Sequence, residues 1–224
     1  LRFNALEEYE ELYSFVSPDS VLVVLDYYHD LAITKGADRQ LYRSFLRKGN
    51  IFRLQDRIEE ARTHYYEAQL VAKKINNARL EAIIIGNLGN LHLHQGEYLE
   101  SIKKYNKAKK IFVTEGDKDG EARMLNATGA INFRIGNHDI ALVHYEEALS
   151  IYSLLQGDEY NAGLGTTTIL MNIGLIHFKN DLFIKAESSF IEALKRLKTD
   201  NYKYYIAGCY SMLAQIYSSL NQVE

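Results

Sequence analysis

A glycine recurs along this chain at nearly constant spacing. Gly49, Gly89, Gly129 and Gly174 are separated by 40, 40 and 45 residues. Seven residues after each glycine stands a turn former, twelve after it a small residue, sixteen after it an aromatic residue and nineteen after it an alanine. These positions are Asp56, Gly96, Gly136, Asp181; Ala61, Ser101, Ala141, Ala186; Tyr65, Tyr105, Tyr145, Phe190; and Ala68, Ala108, Ala148, Ala193. A period of this length indicates a solenoid of stacked repeats.

The spacing within each repeat predicts a pair of helices. The glycine lies in a first helix that ends at the Gly or Asp turn. The small, aromatic and alanine positions then follow at intervals of four and three residues, which places them on one face of a second helix. A glycine inside a helix costs about 1 kcal/mol relative to alanine. We therefore expect the second helix to approach the first closely at each glycine.

The pattern resembles the tetratricopeptide repeat (TPR), in which Leu-Gly and an aromatic residue are followed by alanine, an aromatic residue and alanine. The match is best from Asn87 to Ala108, and the resemblance covers residues 41 to 220. It implies an all-α fold, a right-handed superhelical solenoid of antiparallel helix pairs. The family's usual period is about 34 residues. The additional residues fall around 75–77 and 115–117, and they predict longer second helices joined by flexible linkers.

The same counting predicts the boundaries of the repeats. We expect a single solenoid over 1–224, with a degenerate first repeat at 1–40, clear repeats at 41–80, 81–120, 121–165 and 166–205, and a truncated last repeat at 206–224. Within the first repeat, Glu7 to Val16 and Ser20 to Thr34 are the expected helices, and Pro18-Asp19-Ser20 is the turn and cap between them. A last repeat without its partner helix predicts a fragment of a larger protein.

Composition and motifs exclude several classes of function. A net charge of −3 gives no electrostatic basis for binding nucleic acid, and no segment approaches the roughly 20 apolar residues of a membrane span. The single cysteine, Cys209, excludes an internal disulfide, and its apolar neighbours predict a packed thiol. These features leave the compartment open between the cytoplasm and an extracytoplasmic sensor domain.

The sequence predicts no catalytic, cofactor or metal site in this segment. His92 and His94 are two residues apart on a helix, so their rings point about 200° apart and cannot share one ion. The stretch from Gly163 to Thr166 lacks the Gly-Lys-Ser/Thr of a phosphate-binding loop. We interpret it as a linker, since it lies where the period lengthens to 45 residues.

The family resemblance implies that first helices line a concave groove, which binds a peptide or protein segment. Groove positions then lie three and six residues before each glycine and one, four and five residues after it. With the amides beside these positions, the predicted peptide-binding residues are Arg43, Asn50, Arg53, Asn87, Asn90, His94, Arg123, Asn126, Phe133, Arg134, Asn172, Phe178 and Gln215.

Asparagine is frequent in this set, and two interpretations of it remain open. An amide is both donor and acceptor, so a row of amides can hold the backbone of an extended peptide. Alternatively, the asparagines bond neighbouring helices or face solvent. If Asn50 and Asn90 are exposed, replacing both by alanine should weaken binding with almost no change in stability.

Charged and aromatic residues also leave alternatives. The four arginines favour a carboxylate on the ligand. The chaperone-type carboxylate clamp, however, needs a lysine three residues before the glycine, where this chain has Leu46, Gly86, Asn126 and Met171. The two phenylalanines form either apolar pockets or core between repeats. A lysine cluster on one second helix is either a solvated face or a patch for an acidic partner; it comprises Lys103, Lys104, Lys107, Lys109 and Lys110.

The predicted function is that of a protein- or peptide-binding scaffold. The 40-residue form resembles TPRs in bacterial peptide-pheromone receptors and in bacterial sensor and regulator proteins, which implies a sensory or interaction domain of a bacterial signalling protein. Two alternatives stay open. One is self-association into a homodimer, and the other is a regulatory segment of a kinase, cyclase or phosphatase whose catalytic domain lies outside this chain.

Overall fold

A computed structural model describes residues 18–155, 159–197 and 202–220 of this chain. These residues form ten α-helices and no strand. The helices are α1 Pro18–Thr34, α2 Asp38–Leu54, α3 Ile58–Lys74, α4 Ala78–His94, α5 Tyr98–Thr114, α6 Lys118–Arg134, α7 His138–Leu154, α8 Glu159–Lys179, α9 Phe183–Arg196 and α10 Lys203–Leu220. The helix expected at Glu7 to Val16 lies outside the described residues.

First and second helices are equal in length through the regular part of the chain. Each helix from α2 to α7 has 17 residues, and three residues separate each from the next. The prediction of longer second helices and flexible linkers is therefore wrong. The extra length of the repeat is divided equally between both helices, and the connections are tight turns.

Each of these turns contains one residue in the left-handed conformation. These residues have φ between 50° and 87°, and they are Gly36, Asp56, Asn76, Gly96, Gly116, Gly136 and Asp181. In each turn the next amide bonds the carbonyl five residues earlier, as Arg57 N does to Phe52 O at 2.8 Å. This is the Schellman ending, which satisfies the last carbonyls of a helix and favours Gly, Asn or Asp at the left-handed position. The four predicted turn formers are confirmed.

Close approach of paired helices at the repeat glycines is also confirmed. A Cβ atom added to Gly49, Gly89, Gly129 or Gly174 would lie 2.6 to 2.8 Å from a ring carbon of the aromatic residue sixteen positions later. At one of these contacts the Ser101 hydroxyl donates to the Gly89 carbonyl at 2.8 Å. The aromatic ring of the second helix therefore occupies the space that a side chain at the glycine would fill.

A second aromatic–glycine contact lies between consecutive repeats, and the sequence analysis did not identify it. A Cβ at Gly120 would lie 2.4 Å from the ring of the buried Phe112. Forty residues earlier the same two positions hold Ala72 and Leu80, which pack in one cluster. In one pair the large residue lies on the second helix and the small residue on the next first helix, and in the other pair the order is reversed.

The same exchange explains why the linker prediction at Gly163 to Thr166 is wrong. These residues lie inside α8, which has 21 residues. Gly165 packs against Tyr152 as Gly120 packs against Phe112, since its added Cβ would lie 2.5 Å from the Tyr152 ring. The longer spacing between repeats is therefore taken up largely by a longer helix.

Pro18 is also placed differently from the prediction. Pro18, Asp19 and Ser20 all lie within α1 and are helical, so they do not form a turn between two helices. Proline suits that place because its fixed φ is helical and the first turn needs no amide donor. The second half of the first repeat, expected at Ser20 to Thr34, is confirmed as a helix.

The chain divides into two compact units, residues 1–111 and 112–224. The core of the first unit is built around Tyr65, Ile84 and Leu91, which are fully buried. In the second unit Phe190 and Cys209 are buried in one cluster, and burial raises the pKa of the Cys209 thiol, which confirms a packed cysteine. Among the described helices, none combines the length and apolar character that crossing a membrane requires.

Candidate functional site

The best-organised group of predicted site residues lies in the first unit, on one side of α2 and α4. We call this side, which carries Asn50, Asn87 and Asn90, the amide face. Asn50 and Asn90 directly follow repeat glycines and are half-buried. The hydroxyl of Tyr65 donates to Asn50 Oδ1 at 2.8 Å, and that of Tyr105 donates to Asn90 Oδ1 at 2.6 Å.

These bonds fix the orientation of both amides. The tyrosine that covers each repeat glycine also holds the oxygen of the following asparagine, so the amide nitrogen lies on the opposite side of the planar group. Asn90 Nδ2 is 3.4 Å from Asn87 Oδ1. The asparagines thus bond a neighbouring helix through oxygen. Asn90 also donates one amide hydrogen to Asn87, and its second hydrogen, like the Asn50 amide nitrogen, keeps donor capacity for a ligand.

Protonated tyrosine hydroxyls are required for this arrangement. Burial raises the pKa of Tyr65 and of Tyr105, and the nearby guanidinium of Arg53 partly opposes the rise in both cases. Both hydroxyls therefore remain donors throughout the physiological pH range. Because each asparagine oxygen is engaged, the condition of exposure is not met, and we expect Asn50→Ala and Asn90→Ala to lower stability. Asn90→Ala would leave the buried Tyr105 hydroxyl without its acceptor, at a cost of about 1–3 kcal/mol. Asn50→Ala should cost less, because Tyr65 keeps a side-chain hydrogen bond with Arg53.

The tyrosines are site residues that the sequence analysis treated only as packing. A partial signal for their role is present in the sequence, since each asparagine that follows a repeat glycine occurs in a repeat whose aromatic residue is tyrosine. The repeat of Tyr145 has Ala130 in place of asparagine, and among the described residues the buried Tyr145 hydroxyl has no hydrogen-bond partner. In the next repeat Leu175 takes that position, and Phe190 brings no hydroxyl.

This difference predicts opposite results for one substitution in two repeats. Tyr105→Phe should lower the free energy of unfolding by about 1–2 kcal/mol, because it removes a hydrogen bond and leaves the Asn90 oxygen without it. Tyr145→Phe should leave stability unchanged or raise it, because its hydroxyl is buried without compensation. Urea denaturation of both variants measures the difference.

A substitution that should increase stability completes the comparison. Ala130→Asn should stabilise the parent chain by about 1 kcal/mol by providing an acceptor for Tyr145, and should give no gain in the Tyr145→Phe background. Equal losses for the two Tyr→Phe variants would contradict this account.

The remaining predicted residues of the first unit lie around the amide face. Arg53 is half-buried beside Tyr65. Arg43 is exposed near the beginning of α2. His94 is exposed at the end of α4, with Nδ1 3.5 Å from Asp56 Oδ1.

Two of the polar residues predicted in the second unit, Asn126 and Asn172, are brought together. Asn172 Nδ2 on α8 lies 3.4 Å from Asn126 Oδ1 on α6, so adjacent first helices are in polar contact. Arg123 pairs with Asp119 within α6 at 3.8 Å. Arg134, at the end of α6, and Gln215, on α10, are exposed.

The two predicted aromatic residues behave as core between elements. The Phe133 ring packs against the hydrophobic cluster of its unit, with the Lys179 ammonium 5.1 Å from the ring centroid. Phe178 packs on Phe183 at a centroid distance of 5.7 Å. Of the two open interpretations, packing between repeats therefore describes both residues. Among the described residues, no group of three or more His, Cys, Asp or Glu side chains is placed to hold a metal ion.

Comparison with known proteins gives a consistent assignment. A family model for the tetratricopeptide repeat matches residues 40–112 and 80–153. The protein ycf37 of Guillardia theta is 29% identical over 125 residues, which are 56% of this chain and 64% of ycf37.

Solved structures of similar fold include the quorum sensor NprR and the Rap protein, both at low identity. The apo quorum sensor NprR from B. thuringiensis matches with a TM-score of 0.71 and 16% identity, over 100% of this chain and 61% of NprR. NprR in complex with its cognate peptide NprX gives a TM-score of 0.65 at 16% identity, with 99% and 63% covered. Rap protein complexed with Competence and Sporulation Factor gives 0.63 at 16% identity, with 100% and 64% covered. The chain spans less than two thirds of the length of ycf37, NprR and Rap.

Proposed function

This chain belongs to the tetratricopeptide repeat family, and we propose that its amide face binds the backbone of an extended peptide or protein segment. The protein would act as a binding scaffold without catalysis of its own in this segment. The chain would then form the sensory or interaction domain of a bacterial signalling or regulatory protein.

The observation that carries this proposal is the fixed pair of amides. Asn50 and Asn90 occupy the same position in adjacent repeats, and a tyrosine hydroxyl holds each oxygen. Two oriented donors at repeating positions match the carbonyls of an extended chain, and backbone recognition does not depend on the ligand's side chains. Preorganisation also lowers the entropic cost of binding, since the two amides are already ordered.

Structural relatives support a peptide as the ligand class. NprR, which shares this fold, has been solved with its cognate peptide NprX, and Rap has been solved with Competence and Sporulation Factor. These complexes concern NprR and Rap. For this chain they make a peptide the first ligand to test.

Selection from a phage-displayed library of random 12-residue peptides tests the proposal. Selected peptides should bind with one-to-one stoichiometry and slow amide hydrogen exchange in α2 and α4, since those helices carry the amide face. Sedimentation of the free chain and of the complex, in the same buffer, distinguishes peptide binding from self-association.

Three results would count against the proposal. The first is recovery of no peptide above background. The second is slowed amide hydrogen exchange that is confined to α3 and α5. The third is a chain that is dimeric when free and whose amide exchange does not change when peptide is added. The last would favour the self-association alternative.

A further inference from the structure

A polar cluster lies between α1, α2 and α3, and we call it the histidine cluster. Its members are His29 on α1, Ser44, Phe45 and Lys48 on α2, and His64 on α3. Ser44 is fully buried and Lys48 is only 7% exposed. In the later repeats these two positions hold mostly apolar residues, which are Ile84, Met124 and Ile169 for the first and Leu88, Thr128 and Ile173 for the second.

Hydrogen bonding fixes the position of the proton on His29. The Ser44 hydroxyl has one hydrogen, which it donates to the Leu41 carbonyl at 2.8 Å. The same hydroxyl oxygen lies 3.0 Å from His29 Nδ1, so Nδ1 carries a proton and donates it to Ser44. In the neutral ring Nε2 then has no proton, and acidification adds a charge to His29 at Nε2.

His64 lies in surroundings that suit the neutral ring. The ring stacks on Phe52 at a centroid distance of 5.1 Å and an angle of 4°, and Phe45 lies 6.0 Å away on the side of His29. Among the described residues, the buried Nδ1 of His64 has no hydrogen-bond partner. Without a proton Nδ1 needs no acceptor, whereas a protonated Nδ1 would be a buried donor with nothing to bond.

Burial and neighbouring cations both oppose protonation of the two rings. Lys48 is the buried cation of the cluster, and its ammonium lies 2.7 Å from Asp26 Oδ1 at the surface. Burial, followed by the charge of Lys48, lowers the pKa of His29. The same two causes, followed by the charge of His29, lower the pKa of His64. Each imidazole therefore makes protonation of the other less favourable.

Three carboxylates act in the opposite direction, and they are Asp26, Asp30 and Glu60. Asp26 already pairs with Lys48. Glu60 pairs with Arg57 at 2.9 Å, and that guanidinium lies 4.3 Å from the centroid of the Phe52 ring. Asp30 is exposed, so water and salt screen its charge. The result of these opposing fields is a lowered pKa for both rings.

We propose that the histidine cluster is an acid-sensitive switch, which holds α1 on α2 and α3 at neutral pH and releases α1 when His29 and His64 become protonated. Protonation places two more cations beside Lys48 and gives His64 a buried donor without an acceptor. Separation of the helices lets water solvate all three charges, which offsets the packing lost. The switch operates whatever the amide face binds.

The direction of the pH effect follows from the lowered pKa values. Between the pKa of each ring in the closed form and the ordinary value of 6.5, the open form binds more protons than the closed form. The contribution to closure is therefore complete above pH 6.5 and is lost as the pH falls through the pKa values of the closed form. Each unit by which a pKa is lowered corresponds to about tenfold in the opening equilibrium.

Amide hydrogen exchange at pH 7 and pH 5, corrected for the intrinsic effect of pH on exchange, tests the switch. The opening constant of the α1 amides should be about tenfold or more larger at pH 5, and that of the α4 and α5 amides should change by less than about threefold. Equal protection of α1 at both pH values would overturn the proposal. An equal rise in all helices of the first unit would also overturn it, since that result indicates unfolding of the whole unit.

NMR titration of the histidine rings in the same chain gives a second measurement that needs no variant. The pKa values of His29 and His64 should both lie below 6.5, because burial and Lys48 lower them. Values at or above 6.5 for both rings would overturn the proposal even if variants of the cluster failed to fold.

Two variants separate the cluster from other groups that titrate. His64→Phe keeps a ring stacked on Phe52 and cannot be protonated. Lys48→Met removes the buried cation at a position that holds Leu88 in the next repeat. Each variant should reduce the rise in α1 opening between pH 7 and pH 5 by about threefold or more. An unchanged acid response in both variants would contradict the switch.

His92→Gln is the matched control in the same unit. It also removes one imidazole, whose Nδ1 lies 2.6 Å from Glu97 Oε2 at the end of α4. This variant should keep the full acid response of α1. Loss of the response in His92→Gln, with retention in His64→Phe, would assign the effect to the end of α4 and overturn the proposal.

Discussion

Exchanging Phe112 and Gly120 for alanine and leucine should restore a fold that either substitution alone disrupts. Phe112→Ala should lower the free energy of unfolding by about 3–5 kcal/mol, the usual cost of removing a buried aromatic ring. Gly120→Leu should cost about 3 kcal/mol, since even a Cβ at this position would lie 2.4 Å from the Phe112 ring. The double variant should return to within about 1 kcal/mol of the parent chain.

The reason is that the double variant recreates a pair the chain already contains. Ala72 and Leu80 occupy the same two positions one repeat earlier, in one buried cluster. The first turn is also alike in the two repeats, because the amide of Leu80 donates to Asn77 Oδ1 and that of Gly120 donates to Asp117 Oδ1. Summed side-chain volume is nearly conserved by the exchange, which cores tolerate well.

Urea denaturation of the parent chain, both single variants and the double variant gives the interaction energy as a double-mutant cycle. We expect coupling of about 5 kcal/mol or more, because the two single losses sum to at least about 6 kcal/mol and the double variant should lose at most about 1 kcal/mol; this exceeds the usual range for two residues. Gly208→Ala serves as a control, since its added Cβ would meet only the flexible end of Met171 at 3.3 Å. That change should raise stability by up to about 1 kcal/mol. Additive losses in the cycle would show that the two positions do not share one packing site.

Asn50→Asp combined with Asn90→Asp should weaken binding of a selected peptide by about 100-fold. Aspartate keeps an oxygen for each tyrosine hydroxyl, so the bonds from Tyr65 and Tyr105 are preserved. It removes the amide donor and places a negative charge opposite the peptide carbonyl. A loss of about 1.4 kcal/mol at each position corresponds to tenfold in affinity.

The design separates binding from folding, which alanine cannot do at these positions. The free energy of unfolding should stay within about 1 kcal/mol of the parent value, as measured in urea. Asn106→Asp with Asn180→Asp is the matched control, because both residues are exposed and the change in charge is identical. That control should bind the peptide as the parent chain does.

Calorimetric titration of the parent, the variant and the control measures the three affinities. Equal affinity for the parent and the Asn50/Asn90 variant would show that the amide nitrogens do not contact the ligand. Unfolding of the variant would instead show that the amide nitrogens, as well as the oxygens, are structural.

Much of the fold follows from the sequence, because repetition makes a local pattern visible several times. The positions of the turns at Asp56, Gly96, Gly136 and Asp181 were predictable, since a left-handed residue must end each helix. So was the contact of each repeat glycine with an aromatic residue sixteen positions later, since a helical glycine needs a reason in packing. Both are properties of residue type and spacing alone.

The errors arise where a residue's role depends on a partner distant in sequence. Gly165 was interpreted as a linker residue because it lies where the repeat period lengthens, yet it is helical, and Tyr152 occupies the space of its side chain. In the same way, the amides of Asn50 and Asn90 were predicted as exposed groups. Only the packing of α3 and α5 brings a hydroxyl to each oxygen.

The sequence by itself determined the repeat, the helix ends, the absence of an internal disulfide and the set of amides that a groove could present. The tertiary structure decided which atom of each amide is engaged and which aromatic side chains pack against neighbouring helices. The physical reason is the distance along the sequence over which each interaction acts. Helix formation and turn chemistry act over a few residues, whereas hydrogen-bond satisfaction and close packing join residues that only the completed fold brings together.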